Sequence, residues 1–174
     1  MKKFINPLEA ADQILPRLKK GILLTVKEGD KVNPMSIGWA TMGVQWSKPI
    51  FMGLVRGSRF TKPILDRTGE FTINVPLGEV DPAIIRFCGT KSGRDFDKVA
   101  ELGLTLEDPE VISVPGIREL PLTLECKVLY AQLQTPESIL FDGIKSHYPA
   151  ESADIEQDYH TAYYAEIVSA YIIE

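Results

Sequence analysis

Two kinds of hydrophobic run alternate along this chain. Apolar stretches at residues 22–26, 35–42, 49–55 and 70–75, and later at 122–133, 138–144 and 162–173, have the length and β-branched content that predict strands. Between them lie short stretches with helix punctuation. Asn6-Pro7-Leu8-Glu9 offers a capping asparagine, a proline in the first turn and a glutamate three residues after the cap, so a helix is expected there. Leu8, Ala11, Ile14 and Leu15 would share its buried face, and Pro16 would end or kink it. Thr61 reads as the cap of a second helix, with Pro63 in its first turn and Gly69 beyond its end. Asp81-Pro82 opens a third over 83–88, stopped by Gly89, and Lys98 begins a short helical run before Gly103.

The early strands follow one another with little chain between them. Gly29-Asp30 reads as a hairpin turn, and Gln45-Trp46-Ser47-Lys48 as a second turn-rich connection. Three antiparallel strands in succession imply a meander or barrel. No GxGxxG or Walker-type glycine motif accompanies them, so a parallel nucleotide-binding sheet is not indicated. The expected architecture is a single domain over residues 1–174, α+β but mainly β, an antiparallel barrel with short peripheral helices. The acidic stretch 149–158 is poor in large apolar residues and reads as an exposed loop or short surface helix.

Composition narrows the function classes. The 174 residues carry 24 acidic and 19 basic side chains, a net charge of -5, with 44% hydrophobic and 25% charged residues. That is an ordinary globular balance with no basic footprint for nucleic acid. No run of about 18 consecutive apolar residues is present, and the N-terminal segment turns polar before a signal-peptide core develops. The expectation is a cytoplasmic protein that engages neither nucleic acid nor membrane. Two cysteines, Cys88 and Cys126, give neither a disulfide framework nor a metal-ligand spacing.

Chemistry concentrates between residues 33 and 61. Small residues at Ser36, Gly38, Ala40 and Thr41 flank the large flat Trp39, which would let a planar ligand approach the backbone. Arg56, Ser58, Arg59 and Thr61 then place two guanidiniums and two hydroxyls at the entrance to a helix, a plausible anion cradle. Each feature also has a plain reading. Loop arginines are mostly solvated, and a tryptophan in an apolar strand is commonly core. Trp46 reads as a dimer contact or a half-exposed turn residue. Of the two histidines, His147 stands in a polar loop and His160 precedes the last strand; either titrates near neutrality if unperturbed. Cys88 at a helix end and Cys126 in an alternating strand read as inert thiols.

The ordered set Asn33-Pro-Met-Ser-Ile-Gly-Trp39, Pro49-Ile50, Arg56-x-Ser58-Arg59-Phe60-Thr61, Phe71-x-Ile73-Asn74-Val75-Pro76, Cys88-Gly, Ser92-Gly-Arg-Asp95, Asp97-Lys98 and Leu124-Glu-Cys126-Lys-Val128 resembles the flavin reductase-like family that includes flavoredoxin. The resemblance implies an FMN-binding split β-barrel. Within the cradle of Arg56, Ser58, Arg59 and Thr61 it singles out Thr61 for the phosphate contact, with Lys98 approaching from the loop that carries Ser92 and Gly93. It places Asn33 and Trp39 beside the isoalloxazine, with the backbone of Met35, Ser36, Ile37 and Gly38 along its polar edge, and sets His160, in Asp158-Tyr-His, near the ring. Members commonly continue past the last strand with a tyrosine-bearing tail; this sequence stops at Glu174, soon after Tyr171, which implies a flavin edge left open or covered by a partner subunit.

Three functions are compatible with these features. The first is an FMN-dependent oxidoreductase that takes hydride from NADH or NADPH and passes electrons to a flavin or another acceptor, working as a homodimer. The second is an electron carrier of flavoredoxin type serving a redox protein partner. The third is a non-catalytic split barrel that binds another phosphate compound, such as pyridoxal phosphate.

Overall fold

A computed structural model describes residues 1–148 and 158–174. Residues 149–157, and with them nearly all of the acidic stretch, lie outside the described residues. The chain opens with β1 (Lys2–Phe4), α1 (Ala11–Ile14) and a 3₁₀ helix (Leu15–Lys20). Four strands follow in close succession: β2 (Ile22–Glu28), β3 (Lys31–Ile37), β4 (Ala40–Gln45) and β5 (Lys48–Arg56). Helix α2 (Thr61–Thr68) leads into β6 (Glu70–Val75). Helices α3 (Pro82–Thr90) and α4 (Lys98–Leu102) precede the small pair β7 (Leu106–Glu107) and β8 (Gly116–Ile117). The long strands β9 (Leu122–Leu133) and β10 (His160–Ile173) complete the chain, with α5 (Ile144–His147) between them.

The eight-stranded main sheet is antiparallel, in the order β3-β2-β6-β9-β10-β5-β4, and β1 adds to β10. Its end strands, β3 and β4, are consecutive in the chain, joined only by Gly38 and Trp39. Three Cα steps span at most about 11 Å, so the sheet must curl until its two ends nearly meet. The result is the split barrel expected from the sequence, with a seam where the chain crosses from β3 to β4. Phe51, Phe71, Ile22, Leu24, Ile73 and Tyr163 fill its interior and are essentially inaccessible to solvent. Burial of each apolar side chain contributes roughly 1.5–3 kcal/mol.

Local chemistry explains the connections. Gly29 takes φ +58° in the two-residue hairpin between Glu28 and Lys31. Trp46 and Ser47, between Gln45 and Lys48, both have positive φ, a two-residue turn that matches strand twist despite lacking glycine. Gly69 ends α2 in the left-handed region, and Asp81 caps α3 by accepting from Ala83 N at 2.8 Å.

Several expectations are corrected. Residues 35–42 are two strands, not one. Met35 and Ile37 face the core on β3 while Ala40 and Met42 do so on β4, so the period-two alternation slips between them where the partner changes from β2 to β5. Residues 138–144 form no strand; a 3₁₀ turn (Pro136–Ser138) and α5 stand there, and Leu140 is almost wholly exposed. Asn6 accepts from Leu8 N and bonds Glu9, yet regular helix begins only at Ala11. Ala10, Ile14 and Leu18 supply its buried side, and Pro16 sits in the first turn of the 3₁₀ helix instead of ending the element. Helix α3 runs through Gly89 to Thr90; a β-carbon at Gly89 would stand 3.3 Å from Ser36 Cβ, so glycine allows α3 to press on β3.

Candidate functional site

Strand register assembles the site at the seam. In the β10–β5 pair His160 stands opposite Arg56, the last residue of β5. The chain then turns through Ser58 and Arg59 into α2, while β3 brings Asn33 alongside and the loop after α3 brings Ser92 and Gly93. Together they line a cavity of about 340 Å³ with Met35, Phe60, Thr61, Thr90, Lys91, Arg94, Lys98 and Asp158. Among the described residues five cationic side chains line it against one acidic one, in a chain whose net charge is -5. Such a local excess of positive charge favours an anionic ligand.

The donors are held in place from behind. Asn33 Nδ2 donates to the Thr61 hydroxyl at 2.9 Å; both residues are buried, and the hydroxyl keeps its own proton to give. Thr61 begins α2 and makes no capping bond to the helix backbone, contrary to the sequence expectation. Lys98, also buried, donates from Nζ to the Pro34 carbonyl at 2.9 Å and the Cys88 carbonyl at 3.1 Å. Burial lowers its pKa, and one N–H of the ammonium remains beyond those two bonds. Arg59 donates to the Gly89 carbonyl at 2.9 Å, and Arg94 to the Ser58 carbonyl at 3.2 Å while lying over the Phe60 ring. Ser58 donates through both N and Oγ to the Asp158 carboxylate.

Gly93 closes the wall. A β-carbon there would fall 2.0 Å from Asn33 Oδ1 and 2.6 Å from Phe60, so only glycine permits this approach. Asn33 Oδ1 itself is buried with no hydrogen-bond partner among the described residues.

A second hollow of about 200 Å³ adjoins the first and shares Met35, Arg56 and Arg59 with it. Ser36, Ile37, Gly38, Trp39, Leu54 and His160 complete its lining. Trp39 is 42% exposed, which rules out a core role; its indole lies 5.0 Å from the His160 ring and 5.2 Å from that of His147. Burial, reinforced by the Arg56 guanidinium, lowers the His160 pKa to about 4, so the imidazole is neutral near pH 7. Its Nδ1 shares a short hydrogen bond with the Tyr148 hydroxyl, which also reaches Gln134.

The residues the resemblance placed around the flavin, from Asn33 to His160, each line one hollow or the other, although Lys98 spends two of its donors on carbonyls; Ala40, Thr41, Trp46, His147 and the two cysteines line neither. The sequence reading missed Arg94, Phe60 and Lys91 in the first hollow and the contacts of His147 and Tyr148 around Trp39 and His160. Arg94 was within reach, since it sits in the same polar glycine loop as Ser92 and Gly93; Tyr148 carries no local signal, because its partner is twelve residues away. A larger groove of about 810 Å³ lies between the 3₁₀ helix and α3, lined by Pro16, Pro76, Gly78 and Pro82 together with the exposed Lys20, Glu79 and Arg86. Among the described residues no helix is long and apolar enough to cross a membrane.

Residues 18–174 match the model of the flavin reductase like domain. An uncharacterized protein of Archaeoglobus fulgidus is 33% identical over 121 residues, which take 69% of this chain and 66% of that protein. Among solved structures, the flavoredoxin of Methanosarcina acetivorans superposes with a TM-score of 0.65 at 24% identity, covering 88% of this chain and 68% of its own. An FMN-binding domain of a flavin reductases-like enzyme from Shewanella baltica gives 0.67 at 16% identity, covering 99% and 77%. At those identities the two structures speak for the fold alone, and the match over residues 18–174 carries the assignment: the chain belongs to the flavin reductase-like domain family.

Proposed function

We propose that this chain binds FMN and serves as an NAD(P)H-dependent oxidoreductase of flavin reductase type. The observation that carries the reading is the adjacency of two hollows that share Met35, Arg56 and Arg59, a cavity lined by five cations beside one lined by Ser36, Ile37, Gly38 and Trp39. The residues present suit the group. Arg59, Thr61, Arg94 and the remaining N–H of Lys98 would hold a phosphate, backbone from Met35 to Gly38 would meet the polar edge of the ring, and Trp39 would lie at its side. FMN, when bound, supplies the hydride and electron chemistry, and the protein supplies position and charge. His160, kept neutral by burial, presents an uncharged imidazole to the slot across physiological pH. Family membership and the FMN-binding domain sharing the fold support this reading.

A second reading, an electron carrier between protein partners, is supported by the likeness to flavoredoxin and by the acidic net charge, which would steer a basic partner. A homodimer is part of either reading. Val44, Trp46, Leu129, Tyr130 and Leu133 are exposed apolar residues on strands β4 and β9 and the turn after β4, and Trp46 packs edge-on against Tyr130 at 6.4 Å. A second copy would cover that face.

The test is the visible spectrum after FMN is added and excess removed, followed by anaerobic NADH and then NADPH. Retained absorption that bleaches with a nicotinamide is the expected result. Bleaching by dithionite alone would favour the carrier, and no retained flavin would contradict tight FMN binding.

A further inference from the structure

Asp158 occupies two donors of the anion cradle. Ser58 N donates to its Oδ1 at 2.8 Å and Ser58 Oγ donates to its Oδ2, while Gly57 N donates to the Tyr159 carbonyl at 3.3 Å. A β-carbon at Gly57 would stand 3.3 Å from Asp158 Oδ1, so glycine leaves the carboxylate room to reach the backbone. The same carboxylate lines the cavity that Arg56, Arg59, Arg94 and Lys98 also line, and among the described residues it is the one acid there. A backbone N–H and a hydroxyl aimed at a single anion are the contacts a phosphate oxygen seeks.

We propose that Asp158 determines specificity in this cradle as an internal counter-anion. An incoming phosphate must displace it from Ser58 or share the cavity with its charge. The inference rests on the FMN reading above and deepens it. A dianionic phosphate loses the two Ser58 donors and meets a fixed negative charge; the uncharged ribityl end of riboflavin meets neither penalty. Asp158 therefore narrows the preference for FMN over riboflavin, while binding of the ring is untouched.

Asp158→Asn keeps the shape and one acceptor oxygen for Ser58 but removes the charge, and Asp158→Ala removes both. Full-length wild type and both variants are titrated with FMN, riboflavin and inorganic phosphate, with thermal unfolding as the check on folding. FMN and phosphate are expected to bind about tenfold or more tightly to either variant, the scale of one nearby like charge in a partly screened site, with riboflavin unchanged. Unchanged or weaker FMN affinity in a folded variant, with wild type binding FMN, would overturn the proposal and leave the FMN reading intact. Tighter phosphate without FMN binding by any form would sustain the counter-anion role and remove the flavin. No change in either ligand would overturn it outright.

Discussion

The Asn33 side-chain amide donates to the Thr61 hydroxyl across 2.9 Å, tying β3 to the first residue of α2 beneath the cationic cavity. Both groups are buried, so removing the hydroxyl leaves the Asn33 amide without its protein partner. Thr61→Val keeps the volume and deletes the hydroxyl. It is expected to destabilise the protein by about 1–3 kcal/mol, the usual cost of a buried donor left unpaired, read as a lower urea midpoint at unchanged slope. FMN affinity should fall with it.

Gly93→Ala tests the wall. With Asn33 Oδ1 and Phe60 both inside contact distance of the new carbon, the loop must move away from β3. The expected outcome is a loss of about 1–3 kcal/mol by denaturant melt, together with weakened FMN binding. Gly43→Ala, where nothing stands within 4 Å, is the matched control and should leave FMN binding unchanged.

His160 makes stability depend on pH. Its folded pKa of about 4 lies below the ordinary 6.5 because of burial and Arg56. Between those values the unfolded chain binds the proton and the folded chain does not, so stability is full above 6.5 and falls as pH drops toward 4. The loss is on the order of 3 kcal/mol. His160→Gln is expected to flatten that slope, measured by denaturant titrations at several pH values, and the wild-type imidazole should not titrate by NMR between pH 6 and about 8.

The two thiols should be silent. Burial raises the Cys88 pKa to about 11, Lys98 only partly opposing it, and raises that of the fully buried Cys126 well above its ordinary value. A thiol reagent such as DTNB is expected to react with neither in native protein at pH 8, and with both once urea unfolds the chain.

Much of the barrel was legible because strands, hairpins and caps are local. The Gly29-Asp30 turn, the Asp81 cap and the Gly69 stop are each written in a few adjacent residues. The break at Gly38-Trp39 was legible too, as a slip in alternation between Ile37 and Ala40, but a continuous apolar run masked it. Residues 138–144 misled because Ile139, Leu140 and Phe141 look like a strand, yet Leu140 and Phe141 stay exposed. In the site, Arg56, Ser58, Arg59 and Thr61 announce themselves by clustering. The Thr61–Asn33 bond, the Lys98 contact with the Pro34 carbonyl and the Asp158 carboxylate on Ser58 join positions 28, 64 and 100 residues apart, which no local pattern in the sequence links.

We propose that the cavity lined by Arg59 and Thr61 holds the phosphate of a bound flavin. Equilibrium titration of FMN against wild type and Arg59→Ala, followed by quenching of flavin fluorescence, tests it most directly. We predict saturable binding at one flavin per chain, weakened about tenfold or more in the variant while riboflavin binding changes little, as expected for loss of a charge-assisted contact. Equal FMN affinity in the two proteins would contradict the account.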